Sequence, residues 1–118
     1  MTQEPVYLSA AEAKVVVEVF RESFECDRVE AVALAVNSHH FHWLIRCPDG
    51  RPRHWGGRAK GRATRRLMDL GFRTGRVWAV RFKPKPIVDR AHQVEAFWYI
   101  LNHAQRGAAT WRVEKPSR

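Results

Sequence analysis

Residues 31–47 read AVALAVNSHHFHWLIRC, two apolar runs joined by a short polar turn with three histidines crowded at its exit. Residues 31–36 and 41–45 are rich in β-branched and aromatic side chains, as strands are, and Asn37-Ser38-His39 between them is polar enough to turn. The segment is expected to form a β-hairpin with the histidines at the start of its second strand. Side chains alternate faces along a strand, so His40 and His42 share one face, about 6 to 7 Å apart, while Phe41 and Trp43 take the other. That spacing suits a pair of metal ligands. It also suits two histidines with no ligand role, and the hairpin alone leaves both readings open.

Far downstream lies DRAHQVEAFWYILNHAQR, residues 89–106, followed by Gly107. Asp89 is suited to cap a helix, Val94, Phe97, Trp98 and Leu101 predict an apolar stripe at helical spacing, and Gly107 sits where a helix would stop. Tyr99 and His103 are then i and i+4, with Cβ atoms about 5 to 6 Å apart, so both can face one site. A tyrosine hydroxyl beside a histidine offers a nucleophile next to a metal ligand. The alternative is an amphipathic Tyr99 in the core and His103 as a solvated cation near the negative end of the helix dipole.

A chain of 118 residues predicts one domain, residues 1–118, long enough to bury a core. With 45% hydrophobic residues and a net charge of +9, it is not composed like a disordered chain and calls for an anionic partner. No run reaches the ~18 apolar residues of a membrane span and the amino end lacks a signal-peptide pattern, so a cytoplasmic location is expected. The two cysteines, Cys26 and Cys47, have no CxxC spacing, which points away from a disulfide framework or zinc ribbon and towards packing roles.

In chain order, Ser9-Ala-Ala-Glu12 has the form of a capping box. Val15, Val16, Val19, Phe20 and Phe24 predict a helix over residues 10–25 with one apolar face. Seven of the 12 acidic residues lie at or before Glu30. Residues 48–57 are expected as a loop and residues 59–70 as a short helix ending at Gly71. Ala59, Ala63, Leu67 and Leu70 of that helix should face inward, and Lys60, Arg62, Arg65 and Arg66 outward. Residues 77–82 predict a strand, Lys83-Pro84-Lys85-Pro86 a stiff basic linker, and residues 108–118 a tail with Trp111 available to pin it. The chain contains no internal repeat.

From Arg46 to Arg90 the chain carries 14 Lys or Arg against three Asp. Such a surface releases counterions when it neutralises phosphates, so nucleic acid is the expected partner. Lys60, Arg62, Arg65, Arg66, Arg81, Lys83 and Lys85 are the candidate phosphate contacts. Trp55 and Trp78 interleave with them and could stack on unpaired bases. In a strand, Trp78 suits the core; in a glycine-rich loop, Trp55 suits either role.

An apolar strand, a turn, His40-Phe41-His42 running into a second strand, and a later helix carrying Tyr99-Ile100 with His103 four residues after the tyrosine together resemble the single-tyrosine HUH transposases. These include insertion-sequence transposases and their relatives associated with repetitive extragenic palindromes. The likeness runs over residues 7–111. Val77-Trp78 and the apolar residues after it also resemble the last strand of that family. The family's turn usually reads Met-Pro-Asn-His-x-His, so Asn37-Ser38-His39 departs from it at three positions while both ligand positions are kept. The family also has a central strand before its first helix. Here only nine residues precede that helix and Val6-Tyr7-Leu8 is barely a strand. A shortened relative is therefore expected, in which the start lies upstream, a partner chain supplies the strand, or a domesticated copy binds without cutting.

The resemblance implies an α+β fold, a small antiparallel sheet with helices on one face, ferredoxin-like in outline. It implies a divalent cation held by His40, His42 and His103, and attack by Tyr99 on single-stranded or hairpin DNA, leaving a 5′-phosphotyrosine and a free 3′-OH. Family members use Mg or Mn, whereas three imidazoles suit Mn, Co or Zn better than Mg. A monomer or a homodimer fits equally. His39 is expected as a turn residue or a support to the ligands, and His54 and His92 as surface histidines. Three other readings stay open: a catalytically silent DNA-binding protein of the same fold, an RNA-binding module, and a metal-dependent phosphodiesterase using activated water, with Tyr99 structural.

Overall fold

The computed structural model describes residues 7–38, 40–47, 49–72 and 85–113. The expected strand over residues 77–82, Trp78, Arg81, Lys83, His39 and the chain beyond residue 113 lie outside these.

Helix α1 (Ala10–Cys26) starts on the expected capping box. The Ser9 hydroxyl accepts from the Glu12 N–H at 3.1 Å, and the Glu12 carboxylate accepts from the Ser9 N–H at 2.9 Å. Val16, Val17, Val19, Phe20 and Phe24 are buried, a stripe that must be covered by another element. The cover is a three-stranded antiparallel sheet of order β2-β1-β3, formed by β1 (Glu30–Val36), β2 (Phe41–Arg46) and β3 (Ala109–Arg112). The hairpin forms as the sequence predicts. Its turn is held by the Asn37 side chain, which accepts from the His40 N–H at 2.6 Å, and by the His40 carbonyl, which accepts from the Asn37 N–H at 2.9 Å. Val36 pairs with Phe41 and Ala35 with His42, and the register shifts between Ala31 and Ala33, a bulge.

Strand β3 corrects the expectation of a tail. Its register pairs Leu34 with Trp111 and Ala35 with Thr110. Trp111 is anchored as foreseen, because Ala109 and Trp111 alternate onto the face that packs with α1.

Helix α2 (Pro52–Asp69) begins well before residue 59, inside the expected loop. Proline at the first turn presets φ and gives up only an N–H that the helix would leave unpaired. Asp49 secures the entry, accepting from the Arg51 N–H at 3.0 Å and from the Trp55 indole N–H at 2.7 Å. Ala59, Ala63 and Leu67 are buried as expected. Leu70 is 55% exposed, contrary to expectation, because the helix ends at Asp69 and Gly71 turns the chain at φ 78°.

Two helices, α1 and α2, share one face of the sheet. They pack with Leu34, Val36, Phe41, Trp43, Ile45 and Trp111. Helix α3 (Arg90–Leu101) lies on the other face, where Ile100 packs with Val32, Ala33, Ala35 and Leu44. Its buried stripe differs from the one expected. Ala96, Phe97, Ile100 and Leu101 pack inward, while Val94 and Trp98, an i, i+4 pair on the far side, are exposed. No helix among the described residues is long and apolar enough to cross a membrane.

Candidate active site

Because side chains alternate along β2, Phe41 and Trp43 enter the α1–α2 core and His42 points to the α3 side of the sheet. There it meets α3. The His42 and His103 rings lie 4.4 Å apart between centroids, and the Tyr99 ring lies 5.7 Å from His42 and 5.0 Å from His103, edge-on to both. The i, i+4 spacing of Tyr99 and His103 brings both to the strand histidine. These three rings line a cleft of about 610 Å³ with His40, the Asn37–Ser38 turn, the start of α1 at Ser9 and Ala10, and Arg106 and Gly107.

His103 belongs to a 3₁₀ turn (Asn102–Arg106) that continues α3 and closes at Gly107, whose φ of 86° is left-handed. The His103 Nδ1–H donates to the Tyr99 carbonyl at 2.8 Å and to the Ile100 carbonyl at 3.2 Å. A carbonyl only accepts, so in the neutral ring the proton sits on Nδ1 and the Nε2 lone pair is left for a cation or a proton. Burial, then the neighbouring charges of His103 and His40, hold the His42 pKa below the ordinary histidine value. At neutral pH His42 is therefore neutral and able to ligate. Tyr99 is 61% exposed, which leaves its ring reachable from solvent.

The donor set bears on the implied cation. Among the described residues no carboxylate lines the cleft, and its imidazoles suit Zn, Co or Mn better than Mg. Among the described residues, no group of three or more His, Cys, Asp or Glu side chains is arranged to hold a metal ion. The chemistry of His40, His42 and His103 thus fits a cation, while their placement does not form a closed three-ligand site.

Of the expected nucleic-acid contacts, none of those among the described residues lines the cleft. Arg62, half-buried, donates to both Asp27 oxygens at 2.9 and 3.2 Å and to the Ser23 hydroxyl at 2.8 Å. Arg58 reaches Asp27 at 3.2 Å, Arg66 reaches Glu22 at 3.3 Å, and Arg65 reaches Asp69 at 3.1 Å. Arg58, Arg62 and Arg66 therefore face α1 and its C-cap, Arg65 pairs within α2, and none of the four lines the cleft. Lys60 lies over the Phe41 ring at 5.9 Å. Trp55 sits in the first turn of α2, half-buried against the core, with its indole N–H on Asp49 and Arg58 over its ring. Lys85 is exposed ahead of α3. His92 is used at the start of α3, where its Nδ1 accepts from the Val88 N–H at 3.3 Å and Asp89 caps its own N–H at 2.8 Å.

The sequence reading missed Arg106 at the cleft. The signal was available: Tyr99, His103 and Arg106 follow i, i+4, i+7, one line along a helix. Compared with protein-family models, with curated proteins and with solved structures, the chain finds no match in any of the three.

Proposed function

We propose that this protein nicks and rejoins single-stranded DNA, with Tyr99 as the nucleophile. The observation that carries the reading is the convergence of Tyr99, His42 and His103, from two distant segments, on one cleft with no carboxylate among its described residues. The likeness to single-tyrosine HUH transposases supports it.

A divalent ion held by His42 and His103, with His40 beside them just before β2, would supply Lewis-acid polarisation of the scissile phosphate. The chain's own residues account for the rest. The backbone of α3 presents Tyr99 and orients His103 through its Nδ1–H. As the Tyr99 Oη attacks, a bond forms between Oη and phosphorus and the bond from phosphorus to O3′ breaks. The phenolic proton passes to solvent, and O3′ takes a proton from solvent as it leaves as a hydroxyl. The phosphotyrosine conserves the energy of the broken diester, so a 3′-OH can reverse the step without a nucleotide cofactor.

Incubation with Mn and labelled single-stranded or hairpin DNA should give a covalent adduct that survives a denaturing gel. Tyr99→Phe should give none. DNA binding without any adduct from the wild type would replace this reading with a silent DNA-binding protein.

A further inference from the structure

Arg58, Arg62, Arg65 and Arg66 of α2 each pair with a carboxylate, whereas Arg106, exposed at the rim of the cleft, has no carboxylate partner among the described residues. Two helical geometries bring it there. Tyr99 and His103 are neighbours at i, i+4 on α3 and the turn that follows it. The chain then tightens into the 3₁₀ turn, in which residues i and i+3 eclipse, so Arg106 stands over His103. Gly107 fixes the end of the turn, its N–H donating to the Ala104 carbonyl at 3.1 Å while the Ala108 N–H donates to the His103 carbonyl at 3.2 Å. The strand β3 that follows pins this turn to the sheet. Among the described residues that line the cleft, Arg106 is the only one with a permanent charge, and none is a carboxylate.

We propose that Arg106 is the phosphate-binding residue of this cleft, gripping the diester next to the one that Tyr99 attacks. Its planar guanidinium offers two parallel N–H donors that match the two non-bridging oxygens of a phosphodiester, a fit that a lysine ammonium does not reproduce. The inference rests on the phosphodiester reading of the site. It assigns the grip on substrate to the turn after α3 and not to the basic helix α2.

The probe is the dinucleotide thymidylyl-thymidine, which carries one phosphodiester. Its titration into the full chain should shift the His42 and His103 ring resonances saturably. Arg106→Ala should weaken binding by about tenfold or more, the loss of a charge-assisted bidentate contact. Arg106→Lys should fall between the two. Circular dichroism should be unchanged, since the side chain is exposed. Equal affinity of Arg106→Ala and the wild type, or no binding by the wild type at millimolar dinucleotide, overturns the assignment. The adduct assay separates the two levels. An adduct formed equally by the wild type and Arg106→Ala removes the role of Arg106 and keeps strand cleavage. Weakened binding by Arg106→Ala, with no adduct from the wild type on any substrate, keeps the phosphate site and removes the cleavage.

Discussion

His42 and His103 face each other with ring centroids 4.4 Å apart, joining the start of β2 to the turn beyond α3 on the α3 side of the sheet. A ligand held by both rings ties together segments that are distant in the chain, so its binding free energy adds to folding stability. Saturating Zn or Mn should raise the melting temperature. At a hundredfold excess over Kd the gain is about 2.7 kcal/mol, read as several degrees by calorimetry. His42→Ala or His103→Ala should remove most of the rise. An undiminished rise in the double variant would place the ion elsewhere.

Tyr99→Phe deletes one oxygen from an exposed ring. Its packing against His42 and His103 is edge-on and does not involve the hydroxyl, so the change in stability should stay within about 0.5 kcal/mol. Affinity for single-stranded DNA should stay within a factor of about two on that scale, while covalent adduct disappears. A variant that still forms adduct would move the nucleophile to another residue.

The hairpin and α1 were legible because local signals agree there. Alternation, a polar turn and a capping box all act within a few residues, and the structure keeps the strands to within one residue of the expected bounds. The start of α2 was not legible, because two glycines and a proline read as loop until Asp49 is seen to hold both the Arg51 N–H and the Trp55 indole. The phase of α3 was misread for a similar reason. Its sequence offers apolar residues on more than one side, and only the alanines of β1 decide that Ile100, and not Val94 or Trp98, turns inward. Two simple periods, two along a strand and 3.6 along a helix, grouped His40 with His42 and Tyr99 with His103, while only the family resemblance implied that the two pairs share one site. What charge counting could not foresee is that Arg58, Arg62 and Arg66 of α2 pair with Asp27 and Glu22 at the end of α1, while Arg65 pairs within its own helix.

That balance has unequal parts. The Asp27 carboxylate is 8% exposed and takes Arg62 in a bidentate pair, with Arg58 as a second donor. Arg62→Ala leaves Asp27 with a single cation and frees the Ser23 hydroxyl, so a cost of about 1 to 3 kcal/mol is expected in urea unfolding. Arg65 pairs with Asp69 in open solvent, and Arg65→Ala should cost less than about 0.5 kcal/mol. Similar losses from both would dismiss the Arg62–Asp27 contact as the link between the helices.

Ala33 and Ala35 are fully buried on the strand face beneath α3, in one cluster with Ile100. Their small size sets how closely α3 approaches the sheet, and therefore where Tyr99 and His103 meet His42, whose partner across the strands is Ala35. Ala35→Leu adds three carbons to a packed layer and should cost about 1 to 3 kcal/mol. The cluster of α1 and α2 lies on the other face and should stay intact, so the protein should still unfold cooperatively. With α3 displaced, the metal-dependent rise in melting temperature and the adduct should be lost together, although none of the cleft residues has been changed. Crystallography or NMR of the variant checks the displacement directly. If Ala35→Leu retains both the thermal rise and the adduct, the close approach of α3 to β1 is not what positions the site.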